Sequence, residues 1–198
     1  MHISAGFSSL ALAIVLGRNQ DDQPTSQNIL NNLLGTAMLW FGWFGFNGGS
    51  ALAVNDLSVL AIVNTNFSAA MAGLTWMFLE YVDGHKPSII GLTNGCVCGL
   101  VGITPGCGFV PVWSSFLIGI GSAIISYFFI RKVKHLIFAG KFDDTLGKFF
   151  LIKDVFGCHG MSGFWGGIAT GLFAQNQGTD YATVKNGGFF GNGMTLAE

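Results

Sequence analysis

Two histidines stand inside apolar sequence, and histidine is the side chain whose charge changes most readily near neutral pH. His159 lies in residues 154–174, DVFGCHGMSGFWGGIATGLFA, which carry no formal charge after Asp154. His2 opens a second apolar run, MHISAGFSSLALAIVLG. A neutral imidazole has one donor and one acceptor nitrogen, so two rings in contact can hand on a proton without a full charge entering hydrocarbon. An ionisable group inside a membrane span is costly and ordinarily faces a cavity or a partner. The bland alternative is two packing histidines, each satisfied by a neighbouring carbonyl. Two histidines in two separate apolar segments favour a shared internal pathway instead. A bis-histidine haem protein would use the same pair as axial ligands. It would show a Soret band and would leave the aromatic run at residues 39–46 without a purpose.

The elements that must position these rings are long and apolar. A stretch of about twenty apolar residues can span a bilayer as a helix. Glycines 157, 160, 163, 167 and 171 step by three or four and predict a ridge on which another helix can pack closely. His159 lies near one edge of that ridge, so it is expected to face a crevice between helices.

Composition agrees. Half of the 198 residues are hydrophobic and only 10% are charged, against about a quarter in a soluble domain. This is the composition of a polytopic membrane protein and not of a soluble enzyme. A net charge of −1 leaves no basic stripe to replace the counterions of nucleic acid, which excludes that class of partner. The cysteines, Cys96, Cys98, Cys107 and Cys158, form no CxxC pair. They read as small packing residues, with no metal and no cofactor expected.

The chain shows no secretory signal. It opens within a hydrophobic segment and stops soon after a loop, so both ends read as cuts through a longer polypeptide. Spans are expected at about residues 1–17 (partial), 33–54, 57–81, 89–103, 109–130 and 155–174. Residues 18–32 are a polar loop, Asn55 and Ser88 are candidate N-caps, and residues 104–108 (TPGCG) break the chain between two spans. Alternating the loops places Arg18, Lys86, Arg131, Lys132, Lys134, Lys141, Lys148 and Lys153 on one side and only Lys185 on the other. That asymmetry assigns the loops at 18–32, 82–87 and 131–153 to the cytoplasm. His2, Ser4, Asn47, Ser50, Asn94, Thr104 and His159 are then polar groups at membrane depth, each needing an internal partner.

The run LWFGWFGFNGGSAL at residues 39–52 resembles the ammonium transporter family (the Amt/Mep/Rh superfamily, nearer its Amt/Mep branch). So do GLVGITPGCGFV at 99–110 and DVFGCHGMSGFWGGIATGLFA at 154–174, while the opening segment looks like the second half of the family's fifth span. The motifs cover nearly the whole chain and occur in order. The resemblance implies an all-α, eleven-span fold of two inverted halves, of which this chain is the end of span five through span ten. It implies one membrane domain, incomplete at both ends, in a homotrimer whose subunits each hold a narrow hydrophobic pore. The implied function is ammonium transport for nitrogen uptake, in a multi-pass protein of the plasma membrane; an ammonium sensor and a non-functional fragment are the alternatives.

The resemblance also implies roles. His2 and His159 would be the twin histidines of the pore centre and its proton relay. Ser50 would accept a hydrogen bond from ammonium at the outer mouth. Phe46, one turn before it, would be a gate aromatic whose ring face attracts the cation. Trp43 and Leu39 would continue that face inward and, with Val155, line the pore. A bare ammonium ion pays heavily to enter an apolar pore, so ammonia and the proton would cross separately. Asp154 reads as structural, at the positive end of its helix dipole. Thr104, beside Pro105, reads as a structural partner for backbone freed at the helix break. Asn47 is expected to satisfy local backbone.

Overall fold

The computed structural model describes residues 1–16, 28–133, 155–175 and 186–190, and among these there is no strand. Five α-helices come first: α1 (His2–Leu16), α2 (Ile29–Gly49), α3 (Asp56–Val82), α4 (Ile89–Ile103) and α5 (Val112–Phe128). A π-helical turn, Phe129–Val133, continues α5. A second π-helical turn, Phe156–Met161, leads directly into α6 (Ser162–Phe173). A short 3-10 turn, Gly188–Phe190, lays Phe189 and Phe190 against Trp113 at the start of α5. Asp56–Val82 and Val112–Arg131 are each long and apolar enough to cross a bilayer.

Cap chemistry sets several boundaries. The Asn55 side chain accepts from the Ser58 N–H at 3.0 Å, and Ser58 returns a bond to the Asn55 N–H, a reciprocal capping box that starts α3. Ser88 accepts from the Gly91 N–H at 2.9 Å and starts α4. Helix α2 begins a turn earlier than its apolar content predicts. Asn28 caps it by accepting from Asn31 at 3.2 Å, so Asn31 and Asn32 are helical although they read as loop. It also ends sooner, at Gly49, and Leu52 just beyond takes a positive φ of 54°. Helix α5 starts only at Val112 because Pro111 cannot donate a backbone hydrogen bond and is tolerated at the helix entry.

Helix α3 lies at the centre, packed on α4 and α5 through missing side chains. A Cβ on Gly95 would lie 2.6 Å from the Ala72 carbonyl oxygen, and one on Gly99 2.5 Å from that of Ser68. A Cβ on Gly119 of α5 would collide with the same Ser68 carbonyl. Two polar side chains of this core, Ser68 and Asn64, find partners inside the protein, as the bilayer requires. Ser68 donates to the Gly99 carbonyl at 2.9 Å. Asn64, fully buried, donates from Nδ2 to the carbonyls of Cys107 (2.7 Å) and Val110 (2.9 Å). Those bonds hold the non-helical chain between α4 and α5, which could not otherwise persist away from water.

A second polar cluster sits at the opposite end of α3. Glu80, 2% exposed, accepts from the Ser88 N–H at 2.8 Å, from the Ser88 hydroxyl at 3.1 Å and from Arg131 at 3.3 Å. Tyr127 donates to Asp83 at 2.8 Å beside it. Glu80 therefore ties the α3–α4 connection to the end of α5. Glu80→Ala leaves the part-buried Ser88 N–H without its acceptor, at a cost of about 1 kcal/mol. Thermal unfolding in detergent should show a clearly lowered midpoint for Glu80→Ala and a smaller loss for Glu80→Gln, which retains one acceptor oxygen.

Candidate pore site

The ridge of glycines, which runs from the π turn into α6, meets three different neighbours. A Cβ on Gly157 would run into the Ile130 side chain, and one on Gly163 would lie 3.2 Å from the His2 Cβ. Gly160 and Gly6 face each other, and a Cβ on Gly6 would lie 2.5 Å from both the Cα and N of Gly160. This backbone-to-backbone contact joins α1 to the π turn. Gly167 faces open space instead, and Gly166, outside the predicted ridge, packs against the Gly102 carbonyl.

The close approach brings the two histidines together. His159 Nδ1 and His2 Nδ1 are 3.3 Å apart, with ring centroids separated by 5.4 Å. Two nitrogens at that distance share one proton, one donating and the other accepting. The outward-facing Nε2 atoms must then be in opposite states. If His159 donates, His2 carries its proton on Nε2 and His159 has a bare Nε2; both rings invert when the shared proton moves to His2, a proton is taken up at His159 Nε2 and the Nε2 proton of His2 leaves. The separation does not suit two axial ligands of one iron, whose nitrogens lie on opposite sides of the metal at about twice a metal–nitrogen bond, ~4 Å.

Aromatic rings cover one side of the pair. Trp43 stacks on His2 at 5.3 Å with an interplanar angle of 18°, and Phe46 lies 6.2 Å from the same ring. His2 Nε2 is buried and has no hydrogen-bond partner. Trp43 is held by its own Nε1–H, which donates to the Thr104 hydroxyl at 2.9 Å. Thr104 in turn donates to the Leu100 carbonyl at 2.7 Å. The Thr104 hydroxyl thus bonds a backbone carbonyl of its own helix and holds the indole from another. Trp43→Phe keeps a ring over His2 but loses about 1 kcal/mol of orienting hydrogen bond. If the pair serves a transport pore, methylammonium uptake is expected to fall about fivefold, since 1.4 kcal/mol corresponds to tenfold, and to fall further for Trp43→Leu.

Ser50 follows α2 as its C-cap and is exposed. Its hydroxyl donates to the Phe46 carbonyl at 2.7 Å, which leaves the oxygen's lone pairs to accept from a cation. Asn47, buried, does not serve local backbone as its position suggests. It donates to the Thr65 hydroxyl at 2.9 Å and so pins α2 to α3.

A cavity of about 420 Å3 lies on the other side of the pair, with His159, Val155 and Leu39 in its wall. It extends to Asn31, Asn32 and Ile90 near the starts of α2 and α4. Ser50 bonds the Phe46 carbonyl, Phe46 and Trp43 both lie against His2, His2 meets His159, and His159 lines the cavity. Asp154 lies outside the described residues.

The π turn around His159 escapes sequence reasoning. The segment is continuous with α6 and contains no proline to announce a change of helix. Its polar support is remote: Ser126 of α5 donates to the Gly157 carbonyl at 2.9 Å and pairs with the Ser162 hydroxyl at 2.7 Å. Single π turns of this kind recur at functional sites.

Comparison with known proteins places the chain in a family. A model of the Ammonium Transporter Family matches residues 1–197. The chain is 42% identical over 178 residues to an ammonium transporter of Bacillus subtilis, covering 89% of this chain and 42% of that protein. It is 40% identical over 205 residues to the ammonium transporter Amt1 of Archaeoglobus fulgidus, covering 100% of this chain and 47% of that protein. Among solved structures, the G343C mutant of Candida albicans Mep2 superposes with a TM-score of 0.82 at 36% identity, covering 99% of this chain and 43% of that one. The chain therefore spans less than half the length of these relatives, and it carries part of their all-helical, polytopic membrane fold. The Bacillus subtilis and Archaeoglobus fulgidus relatives are named as transporters and not as enzymes, and by sequence and by fold the chain belongs to the ammonium transporter family.

Proposed function

We propose that this chain forms part of an ammonium-conducting pore with His2 and His159 at its centre. The observation that carries the reading is the 3.3 Å pairing of two imidazoles from different helices, covered by aromatic rings on one side and opening to a cavity on the other. Ammonium is recruited at Ser50, whose oxygen accepts an N–H, and at Phe46, whose ring face favours a cation. Further in, the apolar wall penalises the ion and favours ammonia. The proton left behind enters the imidazole pair at His2 and leaves from His159 by the tautomer exchange described above. Ammonia passes beside the rings, past Leu39 and Val155, into the cavity.

All six helices sit in the bilayer in this reading, with the positively charged loops in the cytoplasm and the cavity at the cytoplasmic end. The whole protein is a homotrimer in the plasma membrane. Expression in cells that lack their own ammonium transporters tests the function. Growth on scarce ammonium should be restored by a protein shown to be inserted in the membrane. An inserted protein that gives no growth advantage and no methylammonium uptake would refute the reading.

A further inference from the structure

The proposed pathway makes no use of two sulfurs beside it. Cys98, midway along α4, donates its thiol hydrogen to Cys158 of the π turn, with 3.1 Å between the sulfurs. Both belong to one buried apolar cluster with Trp76, Val101 and Tyr127. Both also line the cavity that holds His159. Cys158 is the residue next to His159 in the chain, so a change at its sulfur acts on the turn that carries the imidazole.

We infer that Cys98 and Cys158 are a peroxide-responsive dithiol that closes to a reversible disulfide and thereby displaces His159. A disulfide places its sulfurs about 2.05 Å apart, so the pair needs about 1 Å of further approach. The cavity runs from these sulfurs to Asn31, an exposed residue, which gives a small hydroperoxide a route to them. Cys158 is 9% exposed and Cys98 fully buried, so Cys158 is the sulfur that meets the oxidant first. Its sulfur attacks the peroxide, the O–O bond breaks, and a sulfenic acid and one water form from hydrogen peroxide. The Cys98 sulfur then displaces the hydroxyl, forming the S–S bond and a second water. Two electrons pass from the two thiols to the peroxide, and a small thiol reductant returns the pair to its starting state.

The bond would tie α4 to the π turn, and drawing that turn by about 1 Å is enough to upset aligned reacting groups. The effect on uptake rests on the pore reading above; the chemistry of the sulfurs does not. Native membranes holding the protein are treated with hydrogen peroxide, remaining thiols are alkylated under denaturing conditions, and non-reduced peptides are mapped by mass spectrometry. A joined Cys98–Cys158 peptide should increase with peroxide and vanish on reduction. Methylammonium uptake should fall at least fivefold in parallel and recover with reduction, while uptake by Cys98→Ala should be the same with and without peroxide. Peptides that remain separately alkylated at Cys98 and Cys158 would overturn the inference, as would a joined peptide with unchanged uptake. Because the mapping requires no transport, failure of the thiol pair is distinguishable from failure of the pore reading.

Discussion

Alanine at His159 is expected to lower ammonium uptake by about 100-fold, the scale on which a positioned proton-transfer group contributes. His2→Ala should do the same, and the protein lacking both rings should be no worse than either single variant. The reason is geometric. With 3.3 Å between the Nδ1 atoms, the two rings hold one proton between them. Losing either one leaves the other with no partner for tautomer exchange. Independent contributions would instead multiply, giving a loss of about 10,000-fold in the double variant. Initial rates of methylammonium uptake for the four proteins, normalised to inserted protein, distinguish the two cases. Multiplicative losses would show that each histidine acts alone.

Valine at Gly6 should be nearly as damaging, although Gly6 contributes no side chain. A Cβ there would lie 2.5 Å from the Gly160 backbone, whereas carbon atoms prefer about 3.5–4.0 Å. Helix α1 must therefore retreat from the π turn by at least about 1 Å, which carries the Nδ1 atoms past hydrogen-bonding distance. Misplacement of reacting groups by that amount can cost about 100-fold. Gly6→Ala should lie between wild type and Gly6→Val. Uptake at the wild-type rate by well-inserted Gly6→Val would mean that the contact between α1 and the π turn does not position the pair.

How far the sequence could be read depended on whether a feature is local. Helix α4 falls on the residues that apolar content predicts, because Ser88 caps its start and the TPGCG turn ends it within a few residues. The Asn55 cap was equally visible, since its partner Ser58 is three residues away. The histidine pair could be anticipated because each ring is conspicuous in apolar surroundings. What was not visible spans the chain. The Trp43–Thr104 bond joins residues 61 apart, and the Cys98–Cys158 contact joins residues 60 apart. The early start of α2 was hidden because asparagines serve loops and caps alike, and only the bond from Asn31 to Asn28 distinguishes the two. The glycine ridge was right in kind but not in each member. Spacing by three or four gives a helix face, but whether that face meets a backbone, as Gly160 meets Gly6, or open space, as at Gly167, depends on helices elsewhere.

Electrical recording from purified protein in liposomes addresses the histidine pathway most directly, because it reads the proton and the nitrogen together. A step in ammonium concentration should drive a current through wild-type protein, since in the proposed pathway ammonia and its proton both cross. The current should be lost when both rings are replaced in His2→Ala/His159→Ala protein reconstituted at equal density. An undiminished current in that protein would contradict the account, because the charge would then cross without the imidazole pair.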